Sequence, residues 1–199
     1  MRITIIDCGI SNLRSVQKAF EKVGVSTEIS KDASVIEAAE KLVLPGVGAF
    51  GQGIENLEKN LLVEPILRHV KNGKPIIGIC LGMQLLFSES EELGHHRGLN
   101  LLKGRLRRFP ATVKVPHVGW NQAHARKRSL LLRGINGGSY FYFVHSYYLK
   151  PDEDVTLTTT DYGIEFPSSI EKENIFGIQF HPEKSQENGL TILKNFADL

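Results

Sequence analysis

Apolar and polar positions follow two different periods along the first half of the chain. RITIIDC, residues 2–8, reads as a strand. After Gly9 the apolar residues Leu13, Val16, Phe20 and Val23 recur at three- and four-residue steps, which sets them on one face of a helix. Ser11 or Asn12 supplies its N-cap, and Gly24 ends it. VSTEIS, residues 25–30, predicts the next strand, followed by a shorter helix over residues 34–40. A third strand, KLVLP, runs into the glycine-rich PGVGAFGQG from Pro45 to Gly53. Ile54, Leu57 and Leu61 share a face of the helix that follows, and Pro65 is expected to break it before a second piece reaching Val70. KPIIGI is apolar on both faces, as a parallel strand must be when helices cover both sides of it. That strand delivers Cys80.

Beyond Gly94 the pattern changes to short β-rich runs punctuated by glycine and proline: GLNLLKGRLRRF, YFYFVHSYYL, DVTLTTTDYG and SIEKENIFGIQF. The last carries a hairpin signal at Lys172 to Asn174, and a closing helix takes Leu190, Leu193 and Phe196. Strands alternating with helices predict an α/β fold, a doubly wound, mostly parallel open sheet flanked by helices. The β-rich second half adds antiparallel strands. No linker, repeat or low-complexity segment interrupts the chain, so one domain over residues 1–199 is expected.

Composition narrows the classes further. A chain of 199 residues with 41% hydrophobic and 23% charged residues can bury a core and is neither disordered nor fibrous. A net charge of +2 gives no global drive toward nucleic acid, and the basic clusters GRLRRF and HARKR read as solvated faces. Two cysteines cannot form a Cys-rich disulfide scaffold, and no CxxC pair suggests zinc or dithiol redox chemistry. The N-terminal run is too short for a signal peptide, and no apolar stretch approaches the roughly 20 residues of a membrane span. A soluble cytoplasmic protein is expected, with no membrane or nucleic-acid partner, no cofactor and no metal.

The candidate chemistry begins where the apolar strand turns into a helix. Gly78-Ile79-Cys80-Leu81-Gly82 has the form G-x-C-x-G, the cysteine counterpart of the G-x-S-x-G nucleophile elbow. Glycines on both sides let neighbouring backbone approach a sharply turned nucleophile. The helix N-terminus favours thiolate over thiol, and the Leu81 amide faces any carbonyl that Cys80 attacks. The bland reading makes Cys80 a small buried hydrophobe.

A thiol nucleophile needs a base and an orienting group. His181 ends another strand-like run, and Pro182 prevents that strand from continuing. In an extended chain residues two apart point the same way, so His181 and Glu183 can present imidazole and carboxylate together. His117, His124 and His145 remain alternative bases, while His95-His96 reads as an exposed loop rather than a metal site. The glycine-rich PGVGAFG lacks the GK[ST] ending of a P-loop. It suits a second oxyanion donor instead, the amide of Val47, or else it is an ordinary βα loop.

Together these residues resemble the class I (triad-type) glutamine amidotransferases, with GICLGMQ carrying the nucleophile and HPE the other two members. More narrowly, LPGVGAFG, VPHVGWN, YFVHSYY and QFHPEKS resemble the glutaminase subunits of imidazole glycerol phosphate synthase. The resemblance implies that Cys80 attacks the glutamine side-chain amide, that His181 protonates the departing ammonia, and that a γ-glutamyl thioester is then hydrolysed. It assigns the oxyanion amides to Val47 and Leu81, and the glutamine contacts to Gly48, Gln84, Glu92, His145, Ser146 and Tyr147. It places Trp120 and Asn121 of a PHVGWN loop, with Tyr142 and Lys184, at the interface with a (β/α)₈ barrel cyclase. The chain departs from the family at DCGISN, where a tyrosine and a glycine are usual at the positions of Cys8 and Ser11. Ammonia released into water is protonated, so a partner that receives it dry is implied, and the PGVG loop is expected to switch when that partner is loaded. Rival expectations are a glutaminase of another complex, such as that for pyridoxal phosphate synthesis, a thiol peptidase or γ-glutamyl hydrolase, and a noncatalytic binding protein.

Overall fold

A computed structural model describes residues 3–9 and 12–199, so the expectations for Arg2 and Ser11 lie outside the described residues. The first half builds β1 (Ile3–Ile6), α1 (Leu13–Lys22), β2 (Thr27–Ser30), α2 (Ala33–Ala38), β3 (Lys41–Gly46), α3 (Phe50–Lys59), α4 (Val63–Lys71), β4 (Ile76–Cys80) and α5 (Leu81–Leu85). Then come the short β5 (Glu89–Ser90) and β6 (His96–Arg97), β7 (Gly104–Arg108), β8 (His117–Ala125), β9 (Ser139–His145) and β10 (Tyr147–Pro151). β11 (Thr156–Asp161), β12 (Glu165–Lys172), β13 (Ile175–Ile178) and α6 (Gln186–Asp198) complete the order.

Nine strands form one sheet in the order β2-β1-β3-β4-β13-β12-β11-β8-β9. The run from β2 to β13 is parallel, and the pairings from β13 onward to β9 are antiparallel. A second, four-stranded sheet has the order β10-β7-β5-β6. β4 shows why the parallel part must be apolar throughout. Ile76 points into a cluster with Phe50, Leu57 and Ile66, while Ile77 and Ile79 point into a second cluster with Val16, Phe20 and Phe196. Each such isoleucine, removed from water, contributes about 1.5–3 kcal/mol.

The glycine that ends α1 acts as its sequence position suggests. Gly24 adopts φ +76°, and the Gly24 and Val25 amides donate to Glu21 and Phe20, a Schellman closure of α1. Four expectations are corrected. Asn12 occupies the N-cap position of α1, but its side chain makes no capping bond; it reaches Glu183 instead. Leu61 lies off the helix, 78% exposed at φ +56°, because α3 already ends at Lys59. Pro65 sits in the first turn of α4, where its missing N–H has no intrahelical acceptor to lose. All of PHVGWN but Pro116 belongs to strand β8 rather than to a loop, paired with β9 from His117↔His145 to Ala123↔Ser139. Its inward residues are polar, which hid the alternation. Among the described residues no helix is long and apolar enough to cross a membrane.

Candidate functional site

Parallel strands ending together bring the nucleophile candidate to the carboxyl edge of the sheet. Cys80 closes β4 at φ 54°, ψ −111°, a conformation that costs a residue with a β-carbon about 1–3 kcal/mol. Crowding explains the flanking glycines. A β-carbon on Gly82 would lie 1.7 Å from the Leu44 carbonyl oxygen, and one on Gly78 would lie 2.5 Å from the Met83 amide nitrogen. Side chains at these positions would push β3 and α5 away from β4. Gly46 pairs with Cys80 across β3 and β4, so Val47 and Gly48 follow directly beside the nucleophile.

β13 runs parallel to β4 with Ile178 opposite Ile79, which carries His181 to the same edge. Its backbone is latched there: the His181 amide donates to the Tyr142 carbonyl at 2.9 Å, and Ser185 Oγ donates to the His181 carbonyl at 2.6 Å. The Tyr142 amide in turn donates to Ser185 Oγ at 3.0 Å. Pro182–Lys184 then form a 3-10 turn, which returns Glu183 to the ring. Imidazole and carboxylate therefore meet through a turn and not through the extended spacing the sequence suggested. His181 Nδ1 lies 2.8 Å from Glu183 Oε1, both side chains are almost wholly buried, and Asn12 donates to the same carboxylate oxygen.

Electrostatics at this site oppose burial and win. Burial pushes His181 down, but its hydrogen bonds and charge interactions with Cys80 and Glu183 outweigh that and raise it to about 10. Burial pushes Glu183 up, yet the hydrogen bond and charge of His181, with the Asn12 contact, hold its carboxyl below the usual range. An imidazolium held between sulfur and carboxylate is the state these contacts favour. Cys80 Sγ also lies 3.8 Å from the Val144 carbonyl and accepts from Gln179 Nε2 at 3.7 Å.

A cavity of about 320 Å³ opens onto the sulfur. Val47, Gly48, Leu81, Gln84, Glu92, His145, Ser146, Tyr147, His181 and Lys184, all singled out in the sequence, line it together with Cys80. Gln84 spends both amide hydrogens, on Gln179 Oε1 at 2.9 Å and on the Tyr147 carbonyl at 3.3 Å. Only its Oε1 is left to accept from a ligand. Glu92 Oε2 accepts from the Phe50 amide at 2.8 Å and so caps α3 behind the glycine-rich loop.

The other candidate bases are not placed for that role. His145 Nδ1 donates to the Tyr147 carbonyl at 2.8 Å, and its Nε2 lies 3.0 Å from His117 Nδ1. Burial holds His117 down to about 4 and His145 to about 3, leaving both neutral at pH 7. His124 is exposed on β8. His95 is exposed and pairs with Glu89, while His96 belongs to β6 and packs over Gly51. Among the described residues no group of three His, Cys, Asp or Glu could hold a metal ion.

Lys184, which lines the cavity, holds its Nζ 5.6 Å from the centre of the Tyr142 ring, and Trp120 meets Tyr142 edge-on at 6.1 Å. Trp120 is 45% exposed, and Val118, Tyr140 and Val144 extend this apolar stripe over the β8–β9 hairpin. Asn121 faces inward instead, donating to His117 Nε2 at 3.3 Å and to the Asp161 carbonyl at 2.8 Å. Two site residues escaped the sequence reading. Gln179 could have been found, because it lies two positions before His181 on the same strand. Nothing local marks Asn12 as a partner of Glu183.

The family model for glutamine amidotransferase class-I matches residues 4–199. The chain is 53% identical to the imidazole glycerol phosphate synthase subunit HisH of Syntrophotalea carbinolica, over 99% of this chain and 100% of that one. It is 54% identical to the protein of the same name from Aquifex aeolicus, over 98% and 96% of the two chains. Among solved structures, PurLQS from Thermotoga maritima superposes with a TM-score of 0.78 at 19% identity, covering 99% of this chain and 97% of the other.

Proposed function

This chain belongs to the class-I glutamine amidotransferases, enzymes that hydrolyse glutamine, and from that premise we propose that Cys80, His181 and Glu183 perform the hydrolysis as a catalytic triad. Relatives more than half identical over nearly the whole chain support its role as the glutaminase subunit of imidazole glycerol phosphate synthase, in histidine biosynthesis. The carrying observation is the buried imidazole of His181, bonded to Glu183 at 2.8 Å and facing the same cavity as Cys80, whose charge helps to raise its pKa.

The chemistry follows from that arrangement. The Cys80 thiolate attacks the side-chain carbonyl carbon of glutamine, and negative charge develops on the carbonyl oxygen. The amides of Val47 and Leu81 receive it, an electrostatic stabilisation in which one donor is worth about 10²–10³-fold in rate. The His181 imidazolium gives its proton to the departing nitrogen, and ammonia leaves. Water then attacks the γ-glutamyl thioester, His181 accepts its proton, and glutamate is released with the thiolate restored. Glu183, fixed by Asn12, holds the ring's orientation throughout. A cavity of about 320 Å³ is at the small end for ligand sites and suits one amino acid. Glu92 and the free Oε1 of Gln84 bind the α-ammonium, and the backbone from His145 to Tyr147 and at Gly48 binds the rest of the head group.

Ammonia is a nucleophile only while unprotonated, so it must pass to a cyclase subunit without meeting bulk water. The apolar stripe of Trp120, Tyr142, Val118 and Val144 beside the cavity mouth suits the docking of that subunit, a (β/α)₈ barrel. The functional unit is then a cytoplasmic heterodimer, with residues 1–199 as one glutaminase domain. Its PGVG loop turns the Val47 amide into place when the partner is loaded. Equal glutaminase rates with and without the loaded partner would remove the switch.

The test of the triad is Cys80→Ala in the assembled synthase. Synthesis from glutamine is expected to stop while synthesis from added ammonium salts continues. Glutaminase activity surviving in that variant refutes the assignment.

A further inference from the structure

Gln179 lies one residue beyond β13, fully buried, opposite the end of β4. Its amide nitrogen is 3.7 Å from the Cys80 sulfur, on the side chain two positions before His181. A buried amide so placed could present either end to the sulfur, and its neighbours decide which. Gln179 Oε1 accepts from Gln84 Nε2 at 2.9 Å. The other Gln84 hydrogen goes to the Tyr147 carbonyl, which also accepts from His145 Nδ1. His145 therefore offers Nε2 as an acceptor to His117 Nδ1, and His117 Nε2 accepts from Asn121.

Polarity along this chain is set by the neutral state of the two imidazoles, each with a single N–H. His117 is clamped between the Tyr162 and Phe143 rings at 4.0 and 5.0 Å, and Asn121 is tied to the Asp161 carbonyl. Turning the Gln179 amide over would set nitrogen against the Gln84 nitrogen, donor against donor. It would also set a partly negative oxygen against the sulfur.

We infer that Gln179 is a further participant in the reaction, donating an N–H···S hydrogen bond that orients the Cys80 sulfur and favours its thiolate. The bond is strongest to the anion, which is both the attacking species and the group that leaves when the thioester is hydrolysed. It weakens while the sulfur is acylated. Sulfur thus receives a proton relay from His181 on one side and a fixed dipole from Gln179 on the other. The inference rests on Cys80 being the nucleophile.

The experiment measures iodoacetamide alkylation of Cys80 against pH in the full chain, with the modified peptide quantified by mass spectrometry. His181, His145, Glu92 and Lys184 face the same cavity, with Glu183 behind His181. They are present in every sample, so differences report residue 179. Gln179→Met and Gln179→Glu are compared with the parent. Both should move the alkylation midpoint upward and slow alkylation below that midpoint about tenfold, the value of one charge-assisted bond. The glutaminase kcat should fall in both, with KM little changed in Gln179→Glu, which keeps an acceptor for Gln84.

Folded variants with the parent's pH profile overturn the inference. If neither variant folds, side-chain ¹⁵N spectra of the parent decide: the Gln179 NH₂ signals should shift with the same midpoint as Cys80 alkylation, and signals indifferent to pH and to alkylation overturn it. Glutamine protection of parental Cys80 against a glutamine-like chloroketone is run alongside. Its failure removes the nucleophile assignment itself, whereas protection combined with unchanged variants removes only the role of Gln179.

Discussion

Replacing the nucleophile by glycine should show that its backbone is held under strain. At φ 54°, ψ −111° a β-carbon is unwelcome, and alanine keeps it while glycine does not. Cys80→Gly and Cys80→Ala both remove the sulfur, so their difference isolates the β-carbon. Relief of strain favours glycine by about 1–3 kcal/mol. Against it stand about 0.8 kcal/mol for the lost buried carbon and about 0.4–1 kcal/mol for the freer unfolded chain. The balance leaves glycine about 0.5 kcal/mol the more stable, the reverse of the usual order. Ala123 is the control, a buried residue of β8 with ordinary backbone and 3% exposure. There, glycine should cost about 1.2–1.8 kcal/mol. Urea midpoints for the four proteins, with equal denaturant slopes, give both differences. Should glycine cost the same at position 80 as at 123, the elbow stores no strain and the reasoning fails.

Three further outcomes follow from the same geometry. Glu183→Gln leaves a buried imidazolium without its carboxylate and should cost about 3–5 kcal/mol. His181 is raised from 6.5, so its share is present below 6.5 and lost as pH climbs toward 10; Glu183 is lowered from 4.5, so its share is lost as pH falls below that value. The stability gap to the parent should therefore be widest between these limits, and a gap constant with pH contradicts the pairing. His117 and His145 are depressed by burial, so the unfolded chain takes up protons first and stability falls as pH drops below 6.5. Each should contribute a slope of about 1.4 kcal/mol per pH unit. His117→Gln should remove one such share from urea midpoints between about pH 6 and 4.5, and an unaltered slope argues against a neutral pair. Gly82→Ala, whose β-carbon meets the Leu44 carbonyl, should yield no soluble folded protein. Gly137→Ala, with nothing within 4 Å, should stay within about 0.5 kcal/mol of the parent by thermal melting. A folded, active Gly82→Ala would refute the crowding.

Sequence alone determined whatever depends on neighbours along the chain. The all-apolar strand before Cys80, the turn after it and the glycines that permit it are contiguous, so the elbow could be read from GICLG. The turn joining His181 to Glu183 spans three residues and was legible as a pairing, although its extended form was not. Tertiary structure decided what rests on strand register and on chain segments far apart. Asn12 meets Glu183 across 171 residues, and Gln84 meets Gln179 across 95. His117 meets His145 only because β8 and β9 pair in that register. Such contacts follow from which strands become neighbours in the sheet, a choice made by burial summed over both faces and not by any single segment. β8 escaped notice for the same reason: its inward histidine and asparagine look solvent-facing until the aromatic box and the neighbouring imidazole that satisfy them are in place.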